Sequence, residues 1–511
     1  MTVAPPLTTG AESVRWNLND LYLAPDDPQI AQGREALRAA AQAFAEKYRG
    51  RVAQLSAAEM LEALQTYEAN TALAKRLITY PHLAWTTATQ DATWGKLLAQ
   101  SREFLNEINQ VVLFFELEWT NAPEEPAQAL INDPALAHYQ HYLRMERLYQ
   151  PHTLSEPEEK LMSELSLTGM QAWSRFFGEV MSRIEFQIGE ERLTQSQVLN
   201  RLEDPDRQVR QQAANAMTEG LRTHLHTTAF VYNTMLADKA SRDRLRGFES
   251  WIASRNLANQ IEDSMVDALV NAVTSRYDIV WRYYALIKQF LGYDELFDYD
   301  RYAPVLEVKQ HVSWPDAQAT VLEAFGAFSP RMAEIAQLFF DHHWIDAAPV
   351  QGKRGGAYSA SVSAAIHPYI FMNYLGDQDN VMTLAHELGH GVHQYLGRDQ
   401  GELMNSTPLT TAEMASTFGE MLVFDHLIQR QTDPQVRVAM RLGKILDVIK
   451  TVFRQTAMNR FEDRIHTLRR EQGELSAKQL NATWLETQRA CMAPASPCAR
   501  IMACGGATSR T

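Results

Sequence analysis

The chain has 511 residues, enough to bury a sizeable core, and its length fits two to four domains or one large fold with subdomains. Its composition is that of a globular protein, 45% hydrophobic and 22% charged, with a formal charge of −14 and a pI near 5.6. That acidity argues against nucleic acid or an anionic membrane surface as a main partner, and no run of about 18 apolar residues is present to span a bilayer.

The opening stretch, MTVAPPLTTGAESV, lacks a basic segment and an apolar core, so residues 1–15 read as a frayed, disordered tail and not as a signal peptide. Residues 16–120 read as an N-terminal region of long helices. Asp26 or Asp27 can cap the first, through Ala31, Leu37, Phe44 and Tyr48, with Gly50 as its stop. Ser56 and Glu59 form a capping box for the second, which Pro81 should break or kink. A third run extends from about Thr93 to Leu117. None of these carries chemistry. Asn121 to Pro126 reads as a linker into a helical region, 121–200, with a small hairpin where Arg183–Ile188 alternates before the Gly189-Glu190 turn. A further helical array begins near Leu202–Asp206 and runs to about Leu291. Its Arg207, Arg210, Asp238, Arg242, Asp243, Arg244 and Arg246 are read as solvated faces and ion pairs.

From Tyr293 the composition shifts. Tyr293, Tyr299 and Tyr302, with Asp298 and Asp300, suggest a short strand or loop. Ser329-Pro330 opens a helix that ends near His342-His343. Those adjacent histidines do not share a helix face and are read as structural. Gly352 to Tyr374 is the most strand-like stretch, and Pro368 points to an edge strand or a bulge. An edge strand there can pair with extended substrate backbone, and Gly355-Gly356 would let that backbone come close; a purely supporting sheet explains the same pattern equally well.

The chemistry concentrates in Ala385-His386-Glu387-Leu388-Gly389-His390. On a helix His386 and His390 share one face, so two neutral imidazoles can chelate Zn²⁺ while Glu387 stands beside the metal as general base. Asp379-Asn380 offers an N-cap, and Val381, Met382, Leu384, Ala385 and Leu388 suit a buried helix. Two histidines leave a catalytic zinc one protein ligand short. Glu413, in the first turn of the next apolar-periodic run, is the leading third ligand, although Thr410 to Glu413 is also a capping box and spacing leaves both readings open. Glu402, Glu420 and Asp425 compete. Glu420, two turns beyond Glu413, is placed to orient a histidine. His393, one turn past His390, is read as a helix-face residue and kept as a candidate substrate contact with Gly355, Gly356, Ala357 and Tyr358.

The string from His367 to His393, followed by Thr411-Ala-Glu-Met-Ala-Ser-Thr-Phe-Gly-Glu420, resembles the M3 family of zinc metallopeptidases, in its oligoendopeptidase F branch. Trp16–Tyr22, Leu154–Lys160 and Gly352–Tyr358 resemble further motifs of that branch, so the likeness runs from about Trp16 to Gln488. It implies a mainly α, multi-helical, two-lobed metallopeptidase fold with a small β-sheet next to the zinc helix. It also implies a deep channel that excludes folded proteins, and a catalytic domain over 201–490. It raises Glu413, in an E-x-x-S context with Ser416, above the capping reading. The function implied is a zinc endopeptidase with one Zn²⁺ per chain, acting on short unstructured oligopeptides. A water at the fourth zinc position would be the nucleophile and Glu387 the general base.

All three cysteines, Cys491, Cys498 and Cys504, fall in the last stretch, 491–511. A cysteine-free body suggests a reducing cytoplasm. The stretch itself has small residues, no aromatics and no acidic groups, and should not form a core helix. By resemblance, a segment rich in Tyr, Trp and His is expected here, supplying donors near the scissile carbonyl, and a frameshift near codon 490 would account for its absence. The alternative function is then a zinc-binding but impaired chain that acts at most as a peptide binder. Oligopeptides are the expected partners, with a monomer or weak homo-oligomer as the assembly.

Overall fold

Asp27 opens the first helix, Pro28–Tyr48, by accepting a 2.9 Å hydrogen bond from the Gln29 N–H. Proline at the first position loses nothing, because that N–H has no partner in a helix. The computed structural model describes residues 8–305 and 311–492. Ser56 and Glu59 cap the second helix, Ala57–Thr87, reciprocally. That helix runs through Pro81 instead of ending there. An interior proline costs about 3 kcal/mol, and the burial of Leu77, Tyr80, Leu83 and Pro81 itself offsets it. A third helix covers Ala92–Val112. Apolar stripes from all three, including Leu37, Phe44, Leu64, Leu77 and Phe104, enter one core with Phe339, Ile370, Leu384 and Leu388 from far down the chain.

Three local expectations change. Residues 8–15 are anchored, not frayed: Thr9 and Ala11 are buried, the Trp314 N–H donates to the Thr9 carbonyl at 2.7 Å, and the Ala347 N–H donates to the Val14 carbonyl at 3.1 Å. The expected linker at Asn121–Pro126 is cut short by a helix, Glu124–Ile131, whose Ala127 and Leu130 are buried. The aromatic-acidic stretch near Tyr299 is a single 3-10 turn, Asp298–Asp300.

Among the described residues there are five short strands, β1 Phe186–Ile188, β2 Glu191–Leu193, β3 Ile345–Asp346, β4 Tyr358–Ala360 and β5 Tyr369–Phe371, in an otherwise helical chain. β1 and β2 form the antiparallel hairpin, with Phe186 opposite Leu193. The other three make a sheet in the order β3-β5-β4, β3 parallel and β4 antiparallel to β5. Pro368 therefore does not mark an edge strand. It immediately precedes the central, fully buried β5, where it is not required to donate to the ladder. The edges are β3, which is buried, and β4, which is half-buried along its length.

The chain divides into two compact units, Met1–Glu156 with Lys309–Thr432, and Pro157–Val308 with Asp433–Thr511. The linear division at 120, 200 and 490 does not follow this pattern, because each unit is assembled from two separate stretches. The first unit holds the three-stranded sheet and the H-E-x-x-H helix. The second contains a buried ion cluster where solvated charge was expected. Arg210 and Asp300 have no exposed side-chain surface and meet at 2.9 Å, and Arg207 reaches the same carboxylate at 2.7 Å while packing over the Tyr293 ring. Arg242–Asp238 and Arg246–Glu159 are ion pairs as expected. Its last helix, Ala477–Met492, places Cys491 and Met492 in a core with Tyr277 and Phe453, so the cysteine-bearing stretch does begin inside a core helix. Cys498, Cys504 and the rest of that stretch lie outside the described residues. Among the described residues no helix is long and apolar enough to cross a membrane.

Candidate metal centre

The H-E-x-x-H helix spans Gln378–Gly397 and is capped by Asp377, whose carboxylate accepts from the Asn380 N–H at 2.7 Å. The cap thus lies two residues earlier than Asp379-Asn380. Asn380 instead folds its side chain back, Oδ1 accepting from the Gly376 N–H at 3.1 Å. Val381, Leu384, Ala385, Leu388 and Val392 are buried, and that burial fixes which face His386 and His390 present.

The following helix, Leu409–Arg430, packs against it. Two glycines permit the approach. A methyl on Gly389 would lie 2.7 Å from the Ala415 carbonyl oxygen, and one on Gly419 would lie 3.0 Å from that of Ala385. Backbone therefore meets backbone, which brings the carboxylates of the second helix to the imidazoles of the first. These glycines were missed as site residues. Gly389 lies inside the motif itself, and its signal was the absence of a side chain on a face otherwise apolar.

Glu413 Oε2 lies 3.5 Å from His386 Nε2 and 3.5 Å from His390 Nε2. One donor atom from each of these three residues lies within 4.8 Å of the others, the only such group among the described residues. The imidazole rings stand nearly perpendicular, 83° apart, with centroids at 5.0 Å. The helix begins at a Pro408 cap that makes no side-chain hydrogen bond. Glu413 turns its carboxylate to the histidines, where Ser416 Oγ donates to Oε2 at 2.9 Å. Glu420 Oε2 lies 3.4 Å from His386 Nδ1, which leaves Nε2 of that ring facing Glu413. The Glu420 carboxylate, above all, raises the His386 pKa, against burial, whereas burial lowers that of His390.

Glu387 is 5% exposed and its Oε2 has no hydrogen-bond partner. Burial pushes its carboxyl up to about 7, with Glu413 adding and His386 opposing. A buried orphan oxygen on a carboxyl that feels both His386 and Glu413 suits a place beside a cation with a water ligand. Bonds of about 2.0–2.1 Å to a tetrahedral zinc separate its ligands by roughly 3.3–3.5 Å, the spacing seen between Glu413 and each histidine. Two imidazoles and one carboxylate are also a donor set that zinc accepts.

The competitors are engaged elsewhere. Glu402 is buried against Lys75 at 2.6 Å and accepts from the Ala364 N–H at 2.8 Å. Asp425 is exposed and outside the group of three. His342 stacks on Trp344, consistent with a structural role. His393 is half-buried and outside the group. Gly355 and Gly356 have open space where a Cβ would stand, and Gly356 needs glycine for its φ of +85°. Ala357 packs against the core, and the Tyr358 hydroxyl pairs with Thr86 Oγ1 at 2.7 Å. This segment joins the centre through β4, where Ser359 Oγ donates to Gln394 Oε1 at 2.8 Å, one turn past His390 on the same helix.

Residues 201–504 match the model of Peptidase family M3, and residues 118–186 match that of Oligopeptidase F. Oligopeptidase PepF of Bacillus subtilis is 27% identical over 488 residues, covering 93% of this chain and 71% of its own length. A crystal structure described as a putative peptidase from Chlamydophila abortus superposes with a TM-score of 0.78 at 20% identity, over 97% of this chain and 84% of that one. Oligoendopeptidase-F from Enterococcus faecium superposes with a TM-score of 0.70 at 22% identity, over 95% and 83%. At these identities the two structures establish the mainly helical fold.

Proposed function

Because the chain belongs to peptidase family M3, whose members are metallopeptidases, we propose that it is a zinc-dependent endopeptidase acting on short unstructured oligopeptides. The observation that carries this is the convergence of His386, His390 and Glu413 beside the orphaned carboxylate of Glu387. The names of relatives, oligopeptidase and oligoendopeptidase, support the choice of substrate class.

His386 Nε2, His390 Nε2 and Glu413 Oε2 would hold the ion. When bound, zinc supplies Lewis-acid polarisation of the peptide carbonyl and lowers the pKa of a water towards about 7. Glu387 would accept the proton of the attacking water and return it to the leaving amine; burial favours its protonated form and a bound cation its carboxylate, so one group can serve both halves of that transfer. Glu420 keeps the His386 ring turned through Nδ1, and Ser416 holds the Glu413 carboxylate.

The test is hydrolysis of a quenched fluorescent oligopeptide library by the zinc-loaded chain, with Glu387→Gln as control. Cleavage lost in the control supports the reading. One zinc per folded chain with no cleavage supports the alternative of an impaired peptide binder.

A further inference from the structure

A second ion pair in the same unit lies away from the metal ligands. Lys353 and Asp346 have 0% and 1% exposed side chains and meet at 2.6 Å. The Lys353 ammonium also donates to the Met372 carbonyl at 2.6 Å and the Ala348 carbonyl at 3.0 Å, and lies 4.6 Å from the centre of the Phe371 ring. Asp346 ends β3, and Met372 directly follows β5. One buried cation thus ties β3 to β5 and anchors the loop that leads into β4.

The other side of that loop is fastened to the second helix. The Arg354 N–H donates to the Thr86 carbonyl at 2.8 Å, and Thr89 donates to the Gly352 carbonyl through its N–H at 2.9 Å and its hydroxyl at 2.8 Å. Gly355 and Gly356 follow with open space around them, and then β4, paired on one side with β5 and tied to Gln394 of the H-E-x-x-H helix. Charge is an expensive way to fill this space. Replacing a buried ion pair by apolar groups of similar volume is often neutral or stabilising, so bulk stability alone does not account for it. What an ammonium held by three oxygens provides, and an apolar side chain does not, is a fixed position for the loop.

We infer that Lys353 and Asp346 form a positioning clamp. It sets the glycine turn and the free edge of β4 against the metal helix, and so determines which bond of an extended peptide is presented for cleavage. This rests on the zinc endopeptidase reading, with substrate lying along β4. The ion pair touches no reacting atom.

The experiment compares the full chain with the double variant Lys353→Met/Asp346→Leu, which leaves no unpaired buried charge, and with Lys353→Arg. Readouts are zinc content, kcat and KM on a fixed set of oligopeptides, cleavage positions by mass spectrometry, and hydrogen exchange over 352–360. The clamp predicts full zinc, KM raised about tenfold with kcat changed less than threefold, cleavage spread over neighbouring bonds, and faster exchange confined to that loop and β4. Lys353→Arg should restore the cleavage pattern in part. Unchanged KM and the same bonds cut in the double variant would overturn the clamp while leaving the peptidase reading intact. If the unmutated chain cleaves no peptide and the Glu387→Gln variant binds none, both fall together.

Discussion

Gly389 and Gly419 face each other where the two site helices pack: a methyl built on Gly419 would lie 3.3 Å from the Cα of Gly389. The distances from Glu413 and Glu420 to the histidines depend on that approach. Gly389→Ala puts a methyl 2.7 Å from the Ala415 carbonyl and 2.9 Å from the Ser416 Cα, both backbone atoms that cannot rotate away. Overpacking of this kind costs typically 1–3 kcal/mol. The expected outcome is a lower thermal midpoint together with weakened zinc affinity, read by melting with and without metal and by competition with a chelating dye.

The ligand set separates binding from chemistry. His386→Ala should abolish tight zinc binding. Glu387→Gln should keep a full equivalent of zinc and lower kcat by about 10²–10⁴. A full zinc equivalent in the His386 variant would mean the ion is held elsewhere.

Glu420→Gln should loosen the His386 ring without removing a ligand. Loss of such an outer partner typically costs 10–100-fold in metal affinity or activity. Isothermal titration with zinc reads this directly, and an affinity equal to that of the unmutated chain would deny Glu420 its orienting role.

Glu146 carries a pH-dependent stability term. Burial, then Glu116, raises its carboxyl from 4.5 to about 7; Glu116 itself accepts from the Tyr67 and Tyr142 hydroxyls at 3.0 and 3.2 Å. The folded chain therefore holds a proton that the unfolded chain releases between these values. Its contribution is full below pH 4.5 and declines as pH rises through about 7. Glu146→Gln should melt close to the unmutated chain at pH 4.5 and above it at pH 8. A gap of the same size at both pH values would contradict the assignment.

In the second unit, Arg210→Ala should destabilise by roughly 3–5 kcal/mol, because it strips a buried partner from Asp300. Lys47→Ala, at an exposed pair with Glu62, should cost no more than about 1 kcal/mol. Denaturant midpoints of the two variants make the comparison.

What could be read in advance was what depends on local spacing. His386 and His390 share a face because four residues make one turn, and Glu413 and Glu420 share one because seven make two. Asp27, Ser56 and Ser329 cap helices as their side-chain chemistry requires. What escaped depends on partners distant in sequence. Pro368 reads as an edge marker until β3 and β4 are seen to flank β5. Arg210 reads as a solvated cation until Asp300, ninety residues on, closes over it. The part played by Gly389 depends on Ala415 of the next helix, whose carbonyl lies against it. Thr9 and Ala11 read as a loose end because nothing near them in the chain explains their burial.

The shared core of the first unit constrains how the protein is made. Leu37, Phe44 and Leu64 leave the ribosome more than three hundred residues before Leu384 and Leu388, with which they share that core. At about 5–20 residues per second, synthesis keeps the N-terminal helices waiting for tens of seconds with their apolar stripes uncovered. All of 157–308, the whole first stretch of the second unit, emerges during that interval. The N-terminal helices therefore wait with their apolar faces uncovered, and the metal site is completed only once Glu413 has emerged.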